Sequence, residues 1–437
     1  VRDLLVSYAT TGAIQAAVLV GGVLSARLLL PEGRGELFAL LLWPQVIASL
    51  SSLSLGNAVN WRTARSANGS ADAFFRLIGL GLPFSALGIL VGWILIPTAM
   101  SGYDPELVSV SRILLLILVP SELIFGTAAG QLLALGRVVT WNLLRLLQPI
   151  TYSLIAVCLW LGDAVSAPNF ALAYIAGGLL NGAFSLALIA PRLLRRKGRL
   201  QSGEMRHLLV YALSVHLGAL LVLGSSQLDR LVLSASLPAH QVGLYAVALS
   251  LVGGVALLAQ VPNVLVLPKT AAQASGLGQA QVMTRYVKFT LMVAGAGAIA
   301  LVVLAEPLLT LLFGADYRPA ASVLRLLAVA AAFTAVQNVL SSSLQGAGRP
   351  GDVNLARGAG LATLAVGLAV LVSDFGFDLG IMGAGAAMLV AAVVQFLVGI
   401  TLACHRMGIP PRRMLVPDSE DVAYLKTRLG ELRERRA

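Results

Sequence analysis

Six charged side chains lie inside or at the edges of long apolar runs: Arg27, Arg112, Glu122, Asp229, Arg230 and Arg325. Charge is costly in such surroundings, so each is first a candidate for function. Arginine presents a planar fork of donors that grips two oxygens of an anion at once. Glu122, in "LVPSELIFG", is the most deeply placed acid of the chain. A carboxylate there could carry a proton and couple transport to an ion gradient, and Asp229 shares that chemistry. Pro120, two residues before Glu122, removes a helix donor and frees a backbone carbonyl nearby. Structural roles compete with each of these. An arginine near a helix end can snorkel to the interface, and Asp229 can pair with Arg230. Arg112 and Arg325 can tie helices together, and Glu122 can meet an arginine of a neighbouring helix. Glu306, before Pro307, reads as a helix-end feature.

The elements that hold these residues follow from composition. Of 437 residues, 58% are hydrophobic and 12% charged, against about 25% charged in a soluble domain. A mean hydropathy of +0.86 leaves too little polar surface for a water-soluble body. The chain reads as an all-α, polytopic membrane protein. Its net charge of +11 does not indicate a nucleic-acid partner, because the basic residues lie between apolar runs and in the tail. Cys158 and Cys404 both fall in apolar segments, which argues against a disulfide frame or a metal site. The first apolar run is followed by "ARLLLPEGRGE", without a small-residue cleavage site, so it is expected to be a span and not a signal peptide.

A membrane helix needs about 20 largely apolar residues. Twelve such runs are expected, near 8–30, 36–60, 74–98, 108–135, 146–162, 170–191, 207–228, 242–266, 286–313, 321–345, 358–373 and 379–404. Loops on one side carry Arg62, Arg65, Arg137, the cluster "PRLLRRKGRLQSGEMRH", Lys269, Arg349 and the tail from His405. Loops on the other side read "AMSGYDPEL", "GDAVSAPN" and "SDFGFD", and only Arg34, Arg230 and Arg318 fall there. By the inside-positive rule both termini are cytoplasmic.

The chain also repeats. "GRVVTWNLLR" at Gly136–Arg145 matches "GRPGDVNLAR" at Gly348–Arg357 in Gly, Arg, Asn, Leu and Arg. "VSRILLLILV" with Arg112 parallels "VLRLLAVAAA" with Arg325, and "ARLLLPEGRGELFALLLW" parallels "DRLVLSASLPAHQVGLYAVALSL". Three matches in order indicate two six-helix lobes inserted with the same orientation, a known transporter plan. The expected divisions are an N-terminal lobe at 1–195, a basic linker at 196–206, a C-terminal lobe at 207–404 and a cytoplasmic tail at 405–437. In this reading Arg137 and Arg145 sit in or beside cytoplasmic turns as topological anchors, with Trp141 at the interface.

The blocks "ARLLLPEGRGELFALLLW", "LDRLVLSASLPAHQVGLYAVALSL", "LLFGADYRPAASVLRLLA" and "SSSLQGAGRPG" resemble the polysaccharide-exporter (Wzx-type) branch of the multidrug/oligosaccharidyl-lipid/polysaccharide (MOP) flippases. The resemblance covers essentially the whole chain. It implies alternating access and transfer of undecaprenyl-pyrophosphate-linked oligosaccharide from the cytoplasmic to the outer leaflet of a bacterial inner membrane. It also implies that the first and seventh spans line a central cavity. Arg27 and Arg230 thereby become the leading pyrophosphate ligands, followed by Arg112 and Arg325. No cofactor is implied beyond a proton or sodium gradient. The expected partners are the lipid-linked oligosaccharide, the bilayer and other polysaccharide-assembly membrane proteins.

Other readings remain beside this one. A cation-coupled multidrug exporter of the same superfamily would favour acids in its first lobe, yet the first span has none beyond Asp3. A lipid II flippase typically carries two further spans. A glycan polymerase or ligase needs a sizeable outer loop, and the loops here are short, so the chain is not read as an enzyme. No Walker lysine loop indicates ATP use. Among the polar residues within spans (Asn57, Asn60, Gln131, Gln148, Asn181, Gln227, Gln260, Asn263, Gln337, Asn338 and Gln395) most are expected to tie helices together. Pro262 and Pro268 indicate a bent eighth span. In the tail, Val422, Leu425, Leu429 and Leu432 recur at helical spacing, fitting a basic amphipathic helix on the inner leaflet.

Overall fold

A computed structural model describes residues 2–65, 70–195, 203–273, 276–372 and 376–416. The tail helix expected after Asp418 and most of the 196–206 linker lie outside these residues. Among the described residues the protein is helical, without strands. In chain order the helices are α1 (Arg2–Ser51), α2 (Leu55–Arg65), α3 (Ser70–Ala99), α4 (Pro105–Ala134), α5 (Val138–Leu161), α6 (Ala167–Arg195) and α7 (Glu204–Ser236). They continue with α8 (Ala239–Ala271), α9 (Gly276–Val303), α10 (Ala305–Leu312), the 3-10 turn η1 (Ala315–Ala320), α11 (Ala321–Gly346), α12 (Pro350–Leu371), α13 (Gly380–Met407) and α14 (Pro411–Leu415). Hydrocarbon offers no partner to a peptide group, so runs this apolar must satisfy their backbone internally as helix.

Eleven of these helices are long and apolar enough to cross a membrane. The first, Thr10–Ser51, has 42 residues, about 63 Å at 1.5 Å per residue, or two hydrocarbon thicknesses. It breaks at Leu30, whose backbone is non-helical (φ 59°, ψ 177°), directly before Pro31. The two parts supply two crossings, so among the described residues the candidate spans number twelve, as expected. Three boundaries differ from the pattern reading. The run at 36–60 divides at Leu53 and Ser54, both in the left-handed region (φ 47° and 54°), which leaves α2 as a separate short helix. The run at 286–313 divides at Leu304 into α9 and α10. Helix α5 starts at Val138, so Trp141 and Arg145 stand inside it.

The duplication reaches the hydrogen bonds of the turns. After α4, Gly136 (φ 71°) donates its N–H to the Leu133 carbonyl and Arg137 donates to that of Leu132, at 2.9 and 3.2 Å. After α11, Gly348 (φ 77°) donates to Gln345 and Arg349 to Leu344, at 3.0 and 2.8 Å. Both are Schellman closures, which require a residue in the left-handed region and so favour glycine.

The chain packs as two compact units. The first comprises residues up to Leu251 with Glu306–Val323 and Leu368–Ala384; the second comprises Val252–Ala305, Leu324–Gly367 and the residues from Gly385. In the first unit, one buried cluster gathers Leu40, Ile96, Leu114, Val119, Ala156 and Phe170. Another gathers Leu55, Val59, Leu77, Leu123, Leu132 and Leu208. Helix α4 gives Val119 to one and Leu123 to the other, and Glu122 falls between them. The second unit is built around Val266, Val287, Val339, Leu340 and Phe396.

Within the first unit α1 and α8 meet at a pair of glycines. A Cβ on Gly35 would lie 1.8 Å from the Ala239 carbonyl oxygen, and one on Gly243 would lie 1.8 Å from that of Pro31. Backbone cannot yield as a flexible side chain can, so the contact demands glycine on both sides. Gly35→Val and Gly243→Val are each expected to cost about 1–3 kcal/mol or more. The measurement is a melting temperature in detergent, against Gly79→Ala on α3, whose Cβ would meet nothing within 4 Å.

Candidate functional site

The arginines singled out by sequence have identifiable partners. Arg112, on α4, donates from Nε and Nη2 to the Trp93 carbonyl at 3.1 and 2.8 Å, with its guanidinium 4.9 Å from the centre of the Trp93 ring. Pro97 stands four residues beyond Trp93 in α3 and has no N–H to offer that carbonyl. Arg325, on α11, donates to the Val302 carbonyl at 3.4 Å, at the end of α9. The duplicated arginines thus do the same work in both halves, closing a backbone acceptor that a helix leaves open. Arg27 donates to the carbonyls of Leu312 and Leu311 at 2.7 and 2.5 Å, closing the end of α10. Glu306, at the start of α10, pairs with Arg318 at 2.5 Å.

Arg230 and Asp229 form no side-chain ion pair, although the Arg230 backbone N–H donates to the Asp229 carboxylate. Asp229 is 1% exposed and accepts a hydrogen bond from the Tyr245 hydroxyl at 2.6 Å. Arg230 donates to Gln227 Oε1 at 3.1 Å, and its buried Nε has no partner. None of the four arginines borders the cavities described next.

Two adjoining cavities lie within the first unit, and Glu122 lines both. The larger, about 490 Å³, is lined by α1, α4, α5 and α6, with Gln45, Glu122, Trp141, Arg145, Gln148 and Asn181 among its walls. The smaller, about 360 Å³, is bounded by the end of α1, α2, α4 and α7, with Ser54, Asn57, Asn60, Glu122 and His216 in its lining. Ser49, Gly126, Ala129 and Trp141 border both. Glu122 makes no hydrogen bond or ion pair with any described residue. It is therefore not tied to an arginine of a neighbouring helix, and Arg145 shares the larger cavity without pairing to it. In the smaller cavity His216 Nδ1 stands 3.3 Å from Ser54 Oγ.

The inside-positive pattern sets Arg145 in or beside a turn and Trp141 at the interface, whereas both stand on a helix face. The signal that finds them is helical spacing. Trp141, Arg145 and Gln148 are i, i+4 and i+7 on α5, one face of the helix. Asn181 and Ser185 repeat the device on α6, as do Glu122 and Gly126 on α4. Of the polar residues within spans, Asn57, Asn60, Gln148 and Asn181 line the cavities. Asn263 on α8, accepting from Ser342 on α11 at 2.6 Å, ties two helices together as expected, whereas Gln337 donates to Ser341 of its own helix at 3.3 Å.

No family model matches the sequence, and no curated protein matches it. Solved structures do. The chain superposes on a structure described as lipid II flippase MurJ in an inward closed conformation with a TM-score of 0.76, at 14% identity, over 94% of this chain and 89% of that one. An inward-facing multidrug resistance MATE family transporter of the MOP superfamily gives a TM-score of 0.75, at 16% identity, over 90% and 94%. An outward-facing transporter of the same description gives 0.60, at 15% identity, over 92% and 96%. At such identities the likeness is one of fold: the chain shares the helical fold of these solved structures.

The Arg112 contact yields a direct test. Arg112→Leu removes both guanidinium bonds to the Trp93 carbonyl and is expected to cost about 1–3 kcal/mol. Pro97→Ala restores an N–H to that carbonyl. The double variant should therefore melt above Arg112→Leu alone, read as the coupling term of a double-mutant cycle.

Proposed function

We propose that the chain is a flippase carrying undecaprenyl-pyrophosphate-linked oligosaccharide from the cytoplasmic to the outer leaflet of a bacterial inner membrane, by alternating access of two six-helix lobes with both termini cytoplasmic. The observation that supports this most is the polar cavity: carboxylate, guanidinium and amide groups gathered inside a membrane bundle. Such groups are expensive among apolar helices unless a hydrophilic cargo or a water-filled path uses them. Sharing a fold with a lipid II flippase agrees with a lipid-linked cargo. Of the four arginines, Arg230 keeps an unpaired donor and is the leading pyrophosphate ligand. Arg27, Arg112 and Arg325 are already engaged on carbonyls, so their part in substrate binding would be secondary.

A second reading has an observation of its own. Glu122, unpaired in its cavity, would suit a cationic drug, and the fold is shared with MATE transporters. Arg145 in the same cavity opposes it, since like charge repels a cation. Expression in a flippase-deficient strain and in an efflux-deficient strain separates the two. We expect surface polysaccharide to return in the first and drug sensitivity to stay unchanged in the second. Drug resistance without polysaccharide would make the protein an exporter of drugs.

We further assign Glu122 to coupling with the proton or sodium gradient, with Asp229, locked to Tyr245, a lesser candidate. In proteoliposomes, collapsing the gradients should slow the wild type, whereas Glu122→Gln should flip slowly with the gradients intact or collapsed. A Glu122→Gln protein that keeps full gradient dependence would remove this residue from coupling.

A further inference from the structure

We infer that the larger cavity, between α1, α4, α5 and α6, seats the sugar portion of the cargo, with Trp141, Arg145 and Gln148 as its recognition face. The inference rests on the flippase reading above and goes beyond it by naming a saccharide subsite apart from the pyrophosphate ligand Arg230.

The argument begins with unpaired groups. The Arg145 guanidinium makes no hydrogen bond or ion pair with any described residue and lies over the Trp141 ring, 4.6 Å from the centroid. Stacking of this kind fixes the plane of the fork and leaves its N–H donors for a ligand. The side-chain amide of Asn181 and the carboxylate of Glu122 are also unpaired. The walls therefore offer strong donors and a strong acceptor together. Sugar hydroxyls donate and accept at once, so a polyol satisfies both sets where a hydrocarbon would satisfy neither.

Charge narrows the class further. A lipophilic cation would have to share the cavity with Arg145, and a multiply charged anion would have to approach Glu122. A neutral or singly acidic sugar meets neither penalty. Trp141 adds an apolar ring of the kind that carries contact area at little entropic cost. Gln148 is held in place: the Tyr174 hydroxyl lies within hydrogen-bonding reach of both Gln148 and Gln45. At about 490 Å³ the cavity falls in the roughly 300–1,000 Å³ range of small-molecule sites. The smaller cavity has room but, Trp141 apart, no aromatic wall.

The test uses the full-length chain in proteoliposomes and two probes. One is the undecaprenyl-pyrophosphate-linked repeat unit from the host whose polysaccharide the wild type restores; the other is undecaprenyl pyrophosphate without sugar. Arg145→Gln, losing a hydrogen bond to a charged group, and Trp141→Ala, losing the ring contact and the plane that fixes Arg145, should each raise the KM for the sugar-bearing lipid by about tenfold or more. Their affinity for the sugar-free lipid should match the wild type, and Trp141→Phe should recover part of the loss. If either variant fails to fold, Asn181→Ala and Gln148→Leu carry the same expectation. Unchanged KM in the folded variants overturns the assignment and leaves the flippase reading intact. An equal loss for both lipids also overturns it, because Arg145 would then grip the pyrophosphate. A wild type that moves no lipid-linked unit overturns the reading underneath.

Discussion

In hydrocarbon a peptide group without a hydrogen-bond partner costs several kcal/mol, and that penalty governs where charge sits in this molecule. A straight helix meets it everywhere except at its ends and at prolines. Pro97 deprives the Trp93 carbonyl of its donor, and Arg112 supplies two. Helix α9 ends at Val303 and Arg325 reaches the Val302 carbonyl; helix α10 ends at Leu312 and Arg27 reaches its last two carbonyls. Arginine suits this role because its long apolar stem stays among apolar neighbours while its fork spans adjacent acceptors. Much of the charge that looks functional in the sequence is therefore spent on the backbone.

The same penalty gives meaning to polar groups left without partners. Glu122 and Arg145 escape it only because they face a cavity instead of packed side chains. That cavity exists because α4 divides its apolar residues between two clusters, Val119 in one and Leu123 in the other, so the helices around Glu122 are not drawn together. Packing thus opens the space, and the polar faces of α5 and α6 furnish it.

What the sequence made legible follows from which forces act locally. Spans are long apolar runs, and their length is set by the bilayer, so they could be read. The duplication could be read because Schellman closures demand Gly136 and Gly348 at fixed places. Breaks inside a span were less visible. Leu53 and Ser54 adopt positive φ although neither is a residue that favours it, and nothing in their types announces the start of α2. Arg145 was assigned to a turn because basic residues near span ends usually mark topology. The start of α5 at Val138 turned that turn into a helix face. His216 joined a cavity through α7, a contact across 162 residues of chain that no local pattern encodes.

The duplication also explains why the chemistry belongs to one copy. In the register set by Gly136 and Gly348, Trp141 falls on Val353, which is 1% exposed in the core of the second unit. Glu122 falls on Thr334 in that register and on Ala335 in the register of Arg112 and Arg325, and neither is an acid. Thr140 falls on Asp352, which pairs with Arg406 at 3.3 Å. The backbone closures and the arginine that serves the neighbouring helix survive in both copies, because both must meet the same hydrocarbon penalty. The aromatic ring and the free acid survive in one, because nothing about folding requires them. Arg145 itself recurs as Arg357, so what sets the first half apart is the aromatic ring and the acid gathered around the guanidinium, not the guanidinium alone.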